Sequence, residues 1–171
     1  DTVKSKLIQA NTATTSSDGR ESIRKDITKL LTQLDNIAVQ TNYNGTNLLQ
    51  TSRASNATLT ALTFQVGENS GDTISTSAIR ANTSGYSLAT LKGLAADGLT
   101  KVVATSGQAK VDTAITKLNG YRGDIGSTQN QVESAVRNLM TQSTNIKAAE
   151  SVIRDVDYAE ESANFNKLNI I

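Results

Sequence analysis

The feature that most constrains the fold is a long run of apolar residues with heptad spacing in the last third of the chain. From about Ser106 onward the register holds for roughly six heptads. Its members are Val111, Ile115, Leu118, Ile125, Val132, Val136, Leu139, Ile146 and Ile153. The spacing predicts one helix of about 45 residues, roughly 65 Å long. Such a helix needs partners along one face, so a bundle of helices is expected.

Some positions of this register are polar, namely Arg122, Gln129, Ser143 and Glu150. A polar residue in a seam can fix register and partner at some cost in stability, so part of the seam is expected to face other chains or water. Three glycines spaced three apart would let another backbone approach closely, or they mark a flexible point in the helix. They are Gly120, Gly123 and Gly126.

The helix is predicted to break at residues 154–158. Asp155 and Asp157 lie there, and Asp157 is placed to cap a final helix that continues through Lys167 and beyond. Together with Glu160 and Glu161 these carboxylates could bind a hard cation. Acidic residues near a helix N-terminus are favourable without a ligand, so capping is the preferred interpretation.

Two shorter helices are predicted before residue 45. The first covers roughly residues 1–15, and short polar residues at 14–19 then favour a turn and a helix cap. The second has apolar residues at spacings of 4, 3, 4 and 3, which is the seam of a helix that packs along another helix. These residues are Ile23, Ile27, Leu30, Leu34 and Ile37. The stretch NYNG at 42–45 ends this helix.

The middle of the chain predicts a β-hairpin. Leu62, Phe64 and Val66 alternate with polar residues, a turn-rich stretch follows at 67–72, and residues 73–76 resume an extended pattern. Residues 78–105 are expected to be loops around one or two short helical turns. The fold class is therefore mainly α, a bundle of long antiparallel coiled-coil-like helices with one small β-hairpin.

The composition removes most catalytic and binding chemistry. The chain has no His and no Cys, which excludes Ser-His-Asp and Cys-His nucleophilic sites and the usual zinc ligands. The net charge is +1 without blocks of one sign, so nucleic acid and membrane surfaces are not expected as partners. No cofactor, metal site or catalytic residue is predicted. The apolar seams are longer than the helices within this chain can cover, and this favours assembly with other chains.

Several sequence blocks resemble bacterial flagellins. NGTNLL at 44–49 follows a heptad helix, and FQVG at 64–67 precedes the GDTI turn at 71–74. The stretches at 121–131 and 148–169 resemble two further segments of the family. The positions that carry this resemblance are Asn44, Gly45, Arg122, Gly126, Gln129, Asn130, Asp155, Asp157 and Tyr158.

The resemblance implies a core-domain fragment of a secreted, extracellular filament protein. It divides the chain into N-terminal helices at 1–45, a β-hairpin and loop region at 46–105, and a long C-terminal helix with the start of a terminal helix at 106–171. Both terminal coiled-coil segments and the outer variable domains are expected to be missing. An uncapped start and an apolar end indicate a cut inside longer helices, although a frayed terminus explains the start almost as well.

The resemblance also implies partners and a function. The chain would be a structural subunit that self-assembles by lateral and axial helix packing for motility, with export chaperones and a cap protein as further partners. The alternative is a flagellin-like adhesin or hook-filament junction protein. An enzyme would need an outer catalytic domain, for which the sequence has no room.

Recognition by an animal Toll-like receptor is expected to be weak or absent. Many flagellins carry Arg-Val-Arg-Glu-Leu on the first core helix, whereas this chain has TVKSK at residues 2–6. Only Val3 is kept, and Lys4 is a partial substitute for an arginine. The lost first arginine is a bidentate donor that threonine cannot replace.

Overall fold

The computed structural model describes residues 1–52 and 61–170 as mainly helical, which confirms the predicted fold class. The elements are α1 (Thr2–Asn11), α2 (Ser17–Gln40), β1 (Asn42–Tyr43), β2 (Thr46–Asn47), β3 (Thr63–Gln65), β4 (Thr73–Ser75), α3 (Ala89–Lys92) and α4 (Lys101–Ile170). The predicted hairpin is present as β3 paired with β4, and the single short helix α3 lies in the expected loop region. The pair β1–β2 was not predicted.

The chain forms two compact units. The first unit comprises Asp1–Thr63 and Ser75–Ser127, and the second comprises Phe64–Ile74 and Thr128–Ile171. Helix α4 contributes residues to both units. The hydrophobic core belongs to the first unit, since the buried apolar residues among those described lie at 7–38 and 79–114, within its two segments.

The two ends of helix α2 are set by a capping serine and by a tight turn. The Ser16 hydroxyl accepts a hydrogen bond from the Gly19 amide at 3.1 Å, which satisfies one of the free donors of the first turn. After the helix, β1 pairs antiparallel with β2 through a two-residue turn at Asn44 and Gly45, whose φ angles are 50° and 80°. Two positive φ values define the type I′ turn, for which Asn-Gly is the preferred pair.

The buried face of α2 differs from the predicted heptad seam. Ile23 and Ile27 are buried as expected, but the row then continues through Leu31 and Ala38. Leu30 and Leu34 are half-buried, and Ile37 is 50% exposed. A straight helix drifts by about 20° per heptad relative to a 3.5-residue repeat, so a seam read as strict heptads moves off the core.

The segment between β4 and α3 is packed in the core instead of lying on the surface. Asp35 of α2 holds it, because its carboxylate accepts hydrogen bonds from the Thr83 amide at 2.7 Å, the Thr83 hydroxyl at 3.1 Å and Lys92 Nζ at 2.6 Å. Lys117 Nζ of α4 donates to the Gly85 carbonyl at 2.6 Å. These contacts satisfy polar groups that burial would otherwise leave unpaired.

Helix α4 is longer than predicted. It runs for 70 residues and starts at Lys101, where the Thr100 hydroxyl accepts a hydrogen bond from the Val103 amide at 3.2 Å. The predicted break at 154–158 is wrong, and Asp157 lies within the helix instead of capping a new one. Isolated aspartates cost a helix less than about 1 kcal/mol each, whereas glycine costs more and proline breaks it. Residues 127–170 contain neither glycine nor proline.

Candidate assembly surface

The first unit carries an open apolar groove between α1, α2 and α4. Its volume is about 500 Å³. Seven of its lining residues were predicted from the sequence as seam or receptor-patch positions: Val3, Leu30, Leu34, Ile37, Val111, Ile115 and Leu118. Ile37 and Leu118 are 50% and 45% exposed, so the rim of the groove is accessible in the isolated chain. Six predicted seam residues from two different helices therefore meet at one surface.

Helix α1 borders this groove and is held in place by two ion pairs. Lys4 Nζ lies 2.5 Å from Asp112 Oδ1 of α4, and Lys6 Nζ lies 2.8 Å from Asp26 Oδ2 of α2. The hydrogen bond from Lys6 lowers the pKa of Asp26 below its usual value. Both pairs are partly exposed, so they position α1 more than they stabilise it. Lys4, the partial receptor-patch substitute, is already engaged within the chain.

Close packing beneath α1 requires a glycine in α4. A Cβ at Gly107 would lie 3.2 Å from Leu7 Cδ2 and 3.3 Å from Leu91 Cδ1. Leu7 and Leu91 are buried, and neither side chain can move away without disturbing its neighbours. Gly107 thus lets α1, α3 and α4 approach one another.

The loop before α4 is fixed by an ion pair on α2. Glu21 accepts hydrogen bonds from Arg24 Nε and Nη2, both at 2.7 Å, and from the Asp97 amide at 3.0 Å. The Arg24 bond first, and then the Asp97 amide, lower the pKa of Glu21 to about 2. Arg24 Nη1 also donates to the Leu94 carbonyl at 3.0 Å. The spacing of Glu21 and Arg24 could be seen in the sequence, but their loop partners could not.

The second unit presents an apolar stripe on α4. Val132 is half-buried, and the seam residues after it are all exposed, most strongly the last two: Val136 at 46%, Leu139 at 39%, Ile146 at 62% and Ile153 at 71%. Further large apolar side chains beyond 45% exposure lie on the same part of the helix, namely Met140, Val152, Val156, Tyr158, Phe165 and Leu168. We call Val132, Val136, Leu139, Ile146 and Ile153 the α4 stripe.

The turn of the β3–β4 hairpin, at 66–72, lies beside the N-terminal part of the α4 stripe. A hollow of about 550 Å³ is lined by residues of the turn and by Ala135, Asn138, Leu139 and Gln142. The turn is braced internally, because Asp72 Oδ2 accepts hydrogen bonds from the amide and the side chain of Asn69. Leu139, at 39% exposure, is the least exposed of the four stripe residues that follow Val132, consistent with this neighbour.

The positions that carry the family resemblance lie in different settings. Asn44 and Gly45 form the exposed turn between β1 and β2, and Ile125 of the seam is 41% exposed. On α4, Gly126 is half-buried and Gln129 Nε2 donates to Glu133 Oε1 at 3.0 Å. The remaining positions are exposed on the same helix: Arg122, Asn130, Asp155, Asp157 and Tyr158.

Within 1–52 and 61–170, no group of three or more His, Asp or Glu side chains could hold a metal ion. None of the helices in these two ranges is long and apolar enough to cross a membrane. What the arrangement does offer is apolar contact area, in the groove of the first unit and along the α4 stripe of the second.

Known proteins with similar sequences share these helical regions. The family model described as the bacterial flagellin N-terminal helical region matches residues 1–54, and that of the C-terminal helical region matches residues 108–171. The protein YvzB of Bacillus subtilis (strain 168), named as a flagellin, is 34% identical over 144 residues that cover 82% of this chain and 83% of that protein.

Two further relatives extend the likeness. The flagellar filament 30.7 kDa core protein of Treponema maltophilum is 30% identical over 173 residues, which cover 96% of this chain. The chain spans 59% of the length of that relative. The crystal structure of Bacillus cereus flagellin superposes with a TM-score of 0.61 at 29% identity, covering 86% of this chain and 80% of the other.

Proposed function

The chain belongs to the bacterial flagellin family, and on that premise we propose that it is a structural subunit of the extracellular flagellar filament. It assembles with other flagellin subunits by helix packing and serves motility. The relatives support this proposal, since one of them is named a core protein of the flagellar filament. We propose no enzymatic activity and no cofactor, and we treat residues 1–171 as one core domain with the divisions 1–45, 46–105 and 106–171.

The single observation that carries the proposal is the exposure of the α4 stripe. Ile146 and Ile153 are 62% and 71% exposed, although they continue the register that begins at Val111, which is only 5% exposed. Covering these two side chains in a helix–helix interface would contribute roughly 2–4 kcal/mol. An isolated monomer gains no free energy from such a stripe, whereas a filament gains the free energy of burial at every subunit contact.

The groove of the first unit is a second candidate contact. Ile37 and Leu118 stand at its rim, and Leu30, Leu34 and Ile115 form its walls. Since a stable interface requires a desolvated apolar centre, this groove fits a helix from another flagellin segment better than a polar ligand. The family resemblance adds export chaperones and a cap protein as transient partners.

Toll-like receptor recognition remains proposed as weak or absent. Val3 lines the groove and Lys4 is paired with Asp112, so neither offers a free arginine-like donor. Nucleic acid and membrane surfaces are not proposed as partners, because the charge of +1 provides no basic field.

Copy number tests the proposal against the adhesin or junction alternative. Sheared filaments are labelled with an antibody against this chain, and its amount is measured by quantitative mass spectrometry. We expect label along the filament at subunit stoichiometry. Label confined to one end, with few copies per filament, would contradict the proposal. A strain without the gene provides the control for antibody specificity.

A further inference from the structure

The turn between β1 and β2 exposes an Asn-Gly pair in an unusual backbone conformation. Asn44 has a φ of 50° and Gly45 has a φ of 80°. Both residues are exposed, and a Cβ at Gly45 would meet nothing within 4 Å. Within the described part of the chain, the Asn44 side-chain amide makes no hydrogen bond, whereas Asn42 and Asn47 donate theirs to the Gln40 and Thr51 carbonyls.

We propose that Asn44 is a site of spontaneous deamidation, a covalent modification that requires no enzyme. The Gly45 backbone nitrogen attacks Cγ of Asn44, a C–N bond forms, and the bond to Nδ2 breaks. The proton lost from the Gly45 nitrogen leaves with Nδ2 as ammonia. Water then opens the resulting cyclic imide at either carbonyl, giving aspartate or isoaspartate. The only co-reactant is water, and no electrons are transferred.

The local structure leaves this reaction little hindered. Glycine carries no Cβ to block its own nitrogen, and the strands flanking the turn are only two residues each. A pair of strands that short is marginally stable, so the turn opens locally at small cost. Opening lets the Asn44 side chain reach the attack geometry without unfolding the core of the first unit.

The chain contains a second Asn-Gly pair that serves as an internal control. Asn119 and Gly120 lie within α4, and a Cβ at Gly120 would also meet nothing within 4 Å. Both residues are exposed, as Asn44 and Gly45 are, so the two sites are similarly accessible to water. What differs is the backbone, because a helical amide at Gly120 donates to the carbonyl four residues earlier and is held away from its neighbouring side chain. Attack at Asn119 requires the helix to open.

Deamidation would alter the turn that it occurs in. Either product adds one negative charge, which changes the formal net charge from +1 to 0. Isoaspartate also routes the main chain through the side-chain carbon, so the register that pairs Tyr43 with Thr46 cannot be kept. The modified turn would thus mark the age of the chain after synthesis.

The test is a time course on the full 171-residue chain, native and in concentrated urea, at neutral pH. Proteolytic peptides carrying Asn44 and Asn119 are separated, and conversion of amide to acid or isoaspartate is measured by mass spectrometry. In the native chain we expect Asn44 to convert at least about tenfold faster than Asn119, because only its turn opens locally. In urea the two rates should converge.

Variants make the assignment specific. Asn44→Gln should abolish conversion in the first peptide, since a longer side chain forms the cyclic intermediate far more slowly. Gly120→Ala should slow Asn119 in urea and leave Asn44 unchanged. The proposal is overturned if Asn44 is stable in the native chain while it converts in urea, if both sites convert equally in the native chain, or if conversion persists in Asn44→Gln.

Discussion

Replacing Asp35 by alanine should destabilise the first unit substantially. The Asp35 carboxylate accepts three hydrogen bonds, two from Thr83 and one from Lys92. In Asp35→Ala the Thr83 amide loses its partner in a residue that is only 5% exposed, and the Lys92 cation, 33% exposed, loses its counter-ion. Unpaired buried donors cost about 1–3 kcal/mol each, so we expect a loss of roughly 2–4 kcal/mol.

The assay is equilibrium urea denaturation followed by circular dichroism. The midpoint should fall while the slope m stays constant, because the native fold and the surface exposed on unfolding are unchanged. Asp35→Asn keeps an acceptor for Thr83 and should lose less than the alanine variant. Asp155→Ala, at an exposed helical position, should remain within about 0.5 kcal/mol of the parent chain. An Asp35→Ala midpoint indistinguishable from that of Asp155→Ala would refute the reasoning.

Three further predictions concern the first unit. Because the pKa of Glu21 is lowered in the folded chain, its charge adds stability above the unfolded value of 4.5, and this stability is lost as pH falls toward 2. In acid titration followed by circular dichroism, the stability of Glu21→Gln should therefore depend less on pH in that window than the stability of the parent chain. Gly107→Val should lower the melting temperature by overpacking worth about 1–3 kcal/mol, and Gly120→Val, where space is open, should be far milder. In urea denaturation Leu31→Ala should lower the free energy of unfolding by about 2–5 kcal/mol and Ile37→Ala by under about 1.5 kcal/mol. Equal losses would indicate that Ile37, as the heptad pattern predicts, packs in the core as well as Leu31.

Elements with a local cause could be predicted from the sequence. The start of α2 follows from the Ser16 cap, its end from the Asn-Gly turn, and the β3–β4 hairpin from alternation around a glycine-rich turn. The stripe of α4 was also visible, because period and length are properties of one segment.

The remaining features depend on contacts between distant residues. The burial of the segment around Thr83 rests on Asp35 of α2 and cannot be read from its own polar composition. Leu31 is buried in place of the heptad residue Leu30, because the face of a straight helix drifts away from a strict seven-residue repeat. The continuation of α4 through Asp155 and Asp157 shows that two weak helix formers do not outweigh the surrounding residues.

In the filament, we propose, the α4 stripe is covered by other flagellin segments. Residues 1–171 contain no cysteine, so Ile153→Cys introduces the first thiol into this part of the protein, at a side chain that is 71% exposed in the isolated chain. The measurement is the rate of thiol labelling in the full-length variant, compared between intact filaments and the same filaments dissociated into subunits. We expect strong protection in the filament and rapid labelling after dissociation. Equal labelling rates in the two states would show that the α4 stripe is not covered.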